Sequence, residues 1–550
     1  MKEAVVKILK IERLDHLGII VDVIKDLGII DLIDSRIKPD KREKITAGEA
    51  VAAMIINGLG FSEGPLSLTP QFFENKPLEL FFSKGVKAED FNRFKLSRSL
   101  DDVFNYGCEQ LFSEIALLAC KKEQVDMRFR SVDTSSFSVT GEYDECSDEH
   151  AIKITHGFSK DHRPDLKQAI LELIVTQDAG IPILQKAFSG NASDNKIFKE
   201  RARALVENFK KGDNPSYLVA DSKMYFEGNA INLRDLSFIT RIPATIKEEK
   251  TTIELACKQK DLWIKIDEKN SFQSFEINHF GIKQNWIVVF SKAASDRAKK
   301  RIDKAEIKEY DKMSKKLKAL SKKFFACPED AKSMLFDLKK GIKFYSLDNI
   351  EILKKVKFNQ KGRPNKNAEF NTHVEWQAKA SLKRNEDYIG NKLKQESCYV
   401  IGTNIFDDSL PPIEIIKAYK RQGTTVEPGF RFLKDPIFFT SSFFIKKTSR
   451  IMALLMIMTL SLLVYSITQR RVRKYLETQD QTLPNQINQQ TQRPTLRWLF
   501  RMLHGINIVY LKIGNSEKFI VEGITNIKKK ILTCLGVSIQ SMYGLINFCP

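Results

Sequence analysis

The sequence lacks several short motifs that identify common classes of protein. None of its eight cysteines lies in a C-x-x-C pair, which excludes a zinc ribbon or a redox site built on that spacing. It has no G-x-x-x-x-G-K-[ST] loop, which excludes an ATPase of the P-loop class. The first 18 residues are charged throughout and contain no apolar run of the signal-peptide type. Together with the scattered cysteines, these absences predict a reducing, cytoplasmic environment, here in association with the nucleoid.

Acidic residues are too few to balance the basic ones. The chain has 89 lysines and arginines against 69 aspartates and glutamates, which gives a formal net charge of +20. Such an excess favours a polyanionic partner, because lysine and arginine displace the counterions condensed on phosphate backbones. Hydrophobic residues make up 42% of the 550 residues, which excludes a disordered chain and predicts about three or four domains.

Long hydrophobic runs are also scarce, and a single one stands out. Residues 451–467 are almost wholly apolar, and the basic stretch 469–474 follows them. A short membrane span with a positive flank has this pattern. A helix buried on all sides of a large domain has it too, and the run is shorter than the roughly 20 residues that cross a bilayer. We predict a core helix and no membrane partner.

The periodicity of apolar residues changes along the chain. Residues 1–125 read as helices, including one that begins near Ser99 or Asp101. Strand-like runs follow at 128–137, 166–176, 181–188 and 216–222, with a helix predicted at 197–209 before the last of them. This β-β-β-α-β order is how a ribonuclease-H-like sheet begins.

The remaining residues are more mixed, with strands at 261–266, 285–291 and 396–405 and a long charged helix over 293–325. The predicted class is α/β, α+β overall. It comprises a helical N-terminal domain, a mixed sheet with flanking helices in two parts, a β-rich insertion and a linker with a helical tail. The predicted boundaries are 1–125, 126–240, 241–395, 396–477 and 478–550.

Two of the predicted strands end in an aspartate. Asp133 follows Arg-Ser-Val, and Asp221 follows Leu-Val-Ala. A lone aspartate at a strand end is often only a turn or cap residue. Two on adjacent strands can share a cation, and carboxylates on rigid supports are what two-metal phosphoryl transfer requires.

Several strings around these residues resemble bacterial insertion-sequence transposases of the DDE type. The similarity runs from the N-terminal helical region to residues 493–498. The strings that carry it are 131–137 (SVDTSSF), 156–167 (HGFSKDHRPDLK), 190–194 (GNASD), 218–221 (LVAD), 238–243 (FITRIP), 325–327 (FAC), 362–364 (GRP) and 419–436 (YKRQGTTVEPGFRFLKDP).

The resemblance implies a ribonuclease-H-like core interrupted by a β-rich insertion between the second aspartate and a glutamate. It implies that Asp133, Asp221 and Glu427 hold two Mg²⁺ or Mn²⁺ ions. The activity implied is cleavage of element ends and strand transfer by in-line phosphoryl transfer. The partners implied are double-stranded DNA, as terminal inverted repeats and target, and further copies of the chain in a homodimer or higher oligomer. A ribonuclease-H-like nuclease, or a DNA-binding protein without turnover, is the alternative.

The third string also departs from the family's Y-x2-R-x3-E-x6-K pattern. Lys434 stands at the lysine position, whereas Lys420 and Gly423 replace the tyrosine and the arginine. Pro428 pushes the residue before it away from helical geometry, so we expect Glu427 at the start of a helix. The residues expected to contact DNA are Lys434, Arg431, Arg421, Tyr419, Lys160 and Arg163. For Arg431, a helix salt bridge with Glu427 is the alternative.

Overall fold

The computed structural model describes most of the chain: residues 6–61, 64–141, 143, 149–160, 163–193, 197, 216–229, 233–358, 372–406, 410–436, 445–513 and 516–546. The chain divides into two compact units. The first comprises Met1–Thr240 and Asp407–Pro550, and the second comprises Arg241–Phe406. Most of the helix predicted at 197–209 and the string at 362–364 lie outside the described residues.

The N-terminal region is helical, as predicted, but it begins with a strand. Its elements are β1 (Val6–Arg13), α1 (Leu17–Asp26), α2 (Ile29–Arg36), α3 (Ala47–Leu59), α4 (Thr69–Phe73), α5 (Leu78–Phe81), α6 (Arg93–Tyr106) and α7 (Cys108–Lys122). Thr46 and Glu49 form a reciprocal capping box that fixes the start of α3. The helix predicted from Ser99 onward is two helices, because Gly107 has a φ of 113° and separates α6 from α7.

Five strands follow the helical region, and two of them position the predicted aspartates. They are β2 (Phe129–Val139), β3 (Lys167–Thr176), β4 (Pro182–Ser189), β5 (Tyr217–Ala220) and β6 (Phe238–Arg241). Their order in the sheet is β4-β3-β2-β5-β6. The pairs β2–β3 and β3–β4 are antiparallel, whereas β2–β5 and β5–β6 are parallel. The four strands predicted at 128–137, 166–176, 181–188 and 216–222 are thus confirmed.

The second unit is a mixed α/β insertion. It contains α8 (Lys247–Lys258), β7 (Ile264–Lys265), β8 (Asn270–His279), β9 (Ile282–Ser291), α9 (Lys292–Leu320), α10 (Pro328–Lys340), β10 (Tyr345–Phe358), β11 (Thr372–Arg384), α11 (Glu386–Ser397) and β12 (Cys398–Thr403). The long charged helix is α9. β12 pairs antiparallel with β9, where Val400 lies opposite Val288 in a buried apolar ladder.

The chain then returns to the first unit. The remaining elements are α12 (Pro412–Leu433), α13 (Thr448–Thr478), β13 (Leu483–Pro484), β14 (Gln490–Thr491), α14 (Leu496–Met502), β15 (Asn507–Ile513), β16 (Ser516–Glu522), α15 (Asn526–Thr533) and α16 (Val537–Met542). The predicted helical tail therefore also contains strands. β15 pairs antiparallel with both β1 and β16.

The apolar run 451–467 lies inside α13. Among the described residues, α13 is the one helix long and apolar enough to cross a membrane, and 83% of its most apolar window is buried within the protein. It packs against α1, α3, α6, α7 and β4. Its basic end forms ion pairs inside the same unit: Arg470 with Asp178 at 2.7 Å, and Arg471 with Glu123 at 2.5 Å. The apolar residues of the run are therefore accounted for by packing of α13 inside the first unit, as predicted for a core helix.

Candidate active site

Asp133 and Asp221 lie side by side on neighbouring parallel strands. In the β2–β5 register, Val132 is paired with Ala220, so the next residue on each strand is an aspartate. Asp221 keeps an extended backbone (φ −71°, ψ 165°) after β5 ends. Register partners on parallel strands point to the same face and are separated by about 4.8 Å. The two carboxylates therefore lie next to each other on the same face of the sheet.

Each of the two carboxylates is oriented by the backbone that follows it. The backbone N–H of Thr134 donates to Oδ1 of Asp133 at 2.7 Å. The backbone N–H of Ser222 donates to Oδ1 of Asp221 at 2.7 Å, and Asp221 caps the short 3-10 helix Ser222–Met224. Asp133 is half-buried and Asp221 is exposed. A cation that approaches this edge of the sheet would thus meet oxygen ligands held in fixed positions.

Helix α12 packs on the face of the sheet that carries the aspartates, and hydrogen bonds hold it there. The side-chain amide of Gln177, in the β3–β4 turn, donates to the carbonyl of Ala418 at 2.7 Å and to Oγ of Ser131 at 3.2 Å. Further along the helix, Nε2 of Gln422 lies 3.5 Å from the carbonyl of Val132, and Oγ1 of Thr425 lies 3.5 Å from Oγ of Ser131. Because Ser131 and Asp133 point to the same face of β2, these contacts place α12 beside Asp133.

Two glycines allow this close packing. A Cβ at Gly180 would lie 2.9 Å from the carbonyl oxygen of Thr425, and Gly180 has a φ of +66°. A Cβ at Gly429 would lie 3.2 Å from a methyl carbon of Leu462 on α13. A larger side chain at Gly180 would meet the backbone of α12, whereas one at Gly429 would need the side chain of Leu462 to shift.

Glu427 lies in the last third of α12, not at the start of a helix. The expectation from Pro428 was wrong, because α12 runs unbroken from Pro412 to Leu433 with Pro428 inside it. A proline in a helix leaves the carbonyl four residues earlier, here that of Thr424, without its N–H partner. Both Thr424 and Pro428 are exposed, so water can satisfy that carbonyl.

The carboxylate of Glu427 lies back along the helix toward its N-terminus. A Cβ at Gly423 would lie 3.5 Å from Oε1 of Glu427, which is ordinary contact. Glu427 is exposed, and in the described part of the chain no ion pair joins it to Arg431 one turn further on. The salt-bridge alternative for Arg431 is therefore not observed.

The donor chemistry of the three residues suits a hard divalent cation, since all are carboxylates. Asp133 and Asp221 are adjacent, and Glu427 is on the helix that packs beside them. However, among the described residues no group of three or more His, Cys, Asp or Glu side chains is close enough to hold a metal ion together. The two aspartates fit a shared ion, and the participation of Glu427 stays a prediction.

Two of the residues expected to contact DNA, Lys434 and Lys160, lie against β2, and a third is paired on the surface. The ammonium of Lys434 lies 5.5 Å from the ring centre of Phe137, on the aspartate face of β2. The ammonium of Lys160 donates to the carbonyl and hydroxyl oxygens of Thr134 at 2.6 and 2.8 Å, on the opposite face. Lys160 therefore supports the strand beside Asp133. Arg163 forms an exposed ion pair with Asp165 at 2.7 Å.

The remaining expected DNA contacts are on α12. Arg421 and Arg431 are exposed and line an open cleft, whereas Tyr419 is half-buried. The same cleft is lined by Arg473, Arg493 and Arg497, which sequence reasoning did not select. Arg473 belongs to the basic stretch 469–474, which was interpreted from the sequence only as the positive flank of a possible membrane span.

Comparisons with known proteins add limited information. A family model described as "Domain of unknown function (DUF4277)" matches residues 9–117, within the N-terminal region. No curated protein matches the sequence. A cryo-EM structure of piggyBac transposase in a synaptic complex with hairpin DNA is similar over 89% of this chain and 79% of that chain. The TM-score is 0.35 and the sequence identity is 10%, so this similarity does not identify the fold.

Proposed function

We propose that this protein is a DNA transposase that cuts the ends of its element and joins them to target DNA by metal-dependent, in-line phosphoryl transfer. The observation that carries the proposal is the pairing of Asp133 with Asp221 on neighbouring parallel strands beneath α12. Carboxylates on rigid, adjacent supports are the arrangement required for metal-assisted attack on a phosphodiester.

The strand directions support a ribonuclease-H-like core. In the order β4-β3-β2-β5-β6, only β3 runs against the other four strands. A ribonuclease-H-like sheet has this order, with the first acidic residue on its central strand and the second on the adjoining parallel strand. The insertion of Arg241–Phe406 between β6 and α12 agrees with the interrupted core that the sequence strings resemble.

The proposed roles follow from where each residue lies. Asp133 and Asp221 would hold Mg²⁺ or Mn²⁺, and Glu427 would complete the ligand set from α12. Such ions supply an activated oxygen nucleophile and charge stabilisation for the leaving 3′ oxygen. The backbone N–H groups of Thr134 and Ser222 orient the two aspartates, and Gln177 and Gln422 hold α12 at a fixed position along β2. Lys434 would contact a phosphate of the strand that is cut.

Double-stranded DNA is the proposed partner. The net charge of +20 favours a polyanion, and a transposase brings two ends together, which suggests a homodimer or higher oligomer. The same chemistry would suit a nuclease that cuts without rejoining, and a chain that has lost turnover would still bind DNA.

Joining of pre-cut ends distinguishes these functions. The full-length protein should join a duplex with the exposed 3′-hydroxyl of the element's own terminal sequence to a supercoiled target plasmid in the presence of Mg²⁺. A gel would show the labelled end migrating with the plasmid. Plasmid cleavage without joining would identify a nuclease, and binding with neither reaction would identify a protein without turnover.

A further inference from the structure

An arginine-lined cleft borders α12 within the first unit. Its volume is about 870 Å³, and it lies between the β3–β4 turn, α12, α13 and the segment that leads into α14. Five arginines line it: Arg421, Arg431, Arg473, Arg493 and Arg497. Five cations around one cleft repel one another, so the cleft is suited to an anionic ligand.

The carboxylates in the cleft offset only part of this charge. Of its two acidic lining residues, Asp435 pairs with Arg497 at 2.5 Å, whereas Asp178 pairs at 2.7 Å with Arg470, which does not line the cleft. In the described part of the chain, Arg421 and Arg431 form no ion pair.

The remaining two arginines, Arg473 and Arg493, are close enough for their charges to repel each other. Glu477 lies 3.8 Å from Arg493 in an exposed pair, which contributes little. Burial, and then the nearby charge of Arg493, lower the pKa of Arg473, whose Nε donates to the carbonyl of Pro494. An anion placed between them would relieve this repulsion.

The spacing of the arginines exceeds the size of one phosphate. Arg421 and Arg431 are ten residues apart on α12, or about 15 Å along the helix axis. Successive phosphates on one DNA strand advance about 3.4 Å along the duplex axis, so the two side chains span about four base-pair steps. A free phosphate or a mononucleotide could engage only one end of this row.

The cleft lies on a different side of α12 from the carboxylate of Glu427. Arg421, Pro428 and Arg431 face the cleft, whereas Gly423, Glu427 and Lys434 follow a neighbouring stripe toward Phe137 on β2. Arg431, one turn beyond Glu427, lies at the border between the two stripes, and Arg421 lies farther round the helix from Glu427.

We propose that the cleft binds the sugar–phosphate backbone of a DNA segment other than the strand attacked at the carboxylates, an inference that rests on the proposed function. The segment runs along α12 from Arg421 to Arg431, and Arg473 and Arg493 close over it from the opposite wall. Guanidinium groups contact successive phosphates in pairs, without reading the base sequence.

The test measures binding of the full-length protein to a fluorescein-labelled duplex by fluorescence anisotropy, in EDTA and over a range of NaCl concentrations. Arg431→Gln should weaken binding and reduce the slope of log K against log salt by about one, and Arg421→Gln/Arg431→Gln should reduce it by about two. Arg431→Lys should restore most of the slope. The matched control is Arg501→Gln, because Arg501 is exposed on α14, outside the cleft.

Two results would overturn the proposal. In the first, Arg431→Gln and the double variant bind DNA with the same affinity and slope as Arg501→Gln. In the second, inorganic phosphate or dAMP raises the melting temperature of the wild type but not of Arg431→Gln, while the DNA slope is unchanged, which would assign the cleft to a free phosphate compound. The anisotropy measurement is made in EDTA and does not depend on catalysis, so it can succeed even if the joining reaction fails. Conversely, unchanged DNA binding by the arginine variants would not argue against joining.

Discussion

Asp133→Asn is expected to lower the rate of Mg²⁺-dependent DNA cleavage by at least about a thousandfold, because losing a metal ligand removes several kcal/mol of transition-state stabilisation. The amide keeps the shape of the side chain, and its oxygen can still accept from the backbone N–H of Thr134. DNA affinity should therefore stay the same or become slightly tighter. Nicking of a supercoiled plasmid measures the rate, and anisotropy in EDTA measures the affinity.

The matched control is Asp31→Asn, which makes the same change on the exposed surface of α2. It should leave both rate and affinity within twofold of the wild type. If Asp133→Asn cleaved DNA as fast as the control, Asp133 would not be a metal ligand of the proposed site. A parallel loss of DNA binding would point instead to a folding defect, which circular dichroism of the variant would reveal.

Glu427→Gln is expected to reduce cleavage by at least about a hundredfold, since the third carboxylate completes the ligand set. The effect should be smaller than that of Asp133→Asn, because Glu427 is exposed on α12 while Asp133 lies on a central strand of the sheet. The variant should show the same DNA affinity as the wild type in EDTA. Plasmid nicking with Mg²⁺ and with Mn²⁺ measures the change.

Glu414→Gln tests whether any loss of charge on α12 has the same effect. Glu414 is on the first turn of the same helix and pairs with Lys417 at 2.8 Å on the surface, so its loss should change stability by less than about 1 kcal/mol and leave cleavage unchanged. Equal rates for Glu427→Gln and Glu414→Gln would mean that Glu427 holds no ion, leaving the two aspartates alone at the sheet edge.

The aspartate pair could be predicted from the sequence because it depends on local patterns. Both aspartates adjoin strand-like runs, but only Asp221 follows the end of its strand; the strand-end prediction for Asp133 was wrong, because β2 continues to Val139 through its pairing with β3. Adjacency of the two strands did not follow from either run alone. It depends on the long-range β2–β5 register.

The setting of Glu427 could not be predicted because tertiary contacts override local preference. Pro428 disfavours a continuous helix, yet Gln177 and Gln422 fasten α12 to the sheet and Gly429 packs it against α13. The arginine cleft was missed for a related reason. Its cations come from segments up to 76 residues apart in the sequence, between Arg421 and Arg497, and no local pattern unites them.

Binding of Mn²⁺ tests the central claim most directly, because it does not depend on turnover. Electron paramagnetic resonance of free Mn²⁺, titrated with full-length protein, reports the bound fraction. We predict that the wild type removes Mn²⁺ from solution and that Asp133→Asn/Asp221→Asn loses most of this binding, while Asp31→Asn retains it. If the double aspartate variant bound Mn²⁺ with the affinity and stoichiometry of the wild type, Asp133 and Asp221 would not be the metal site.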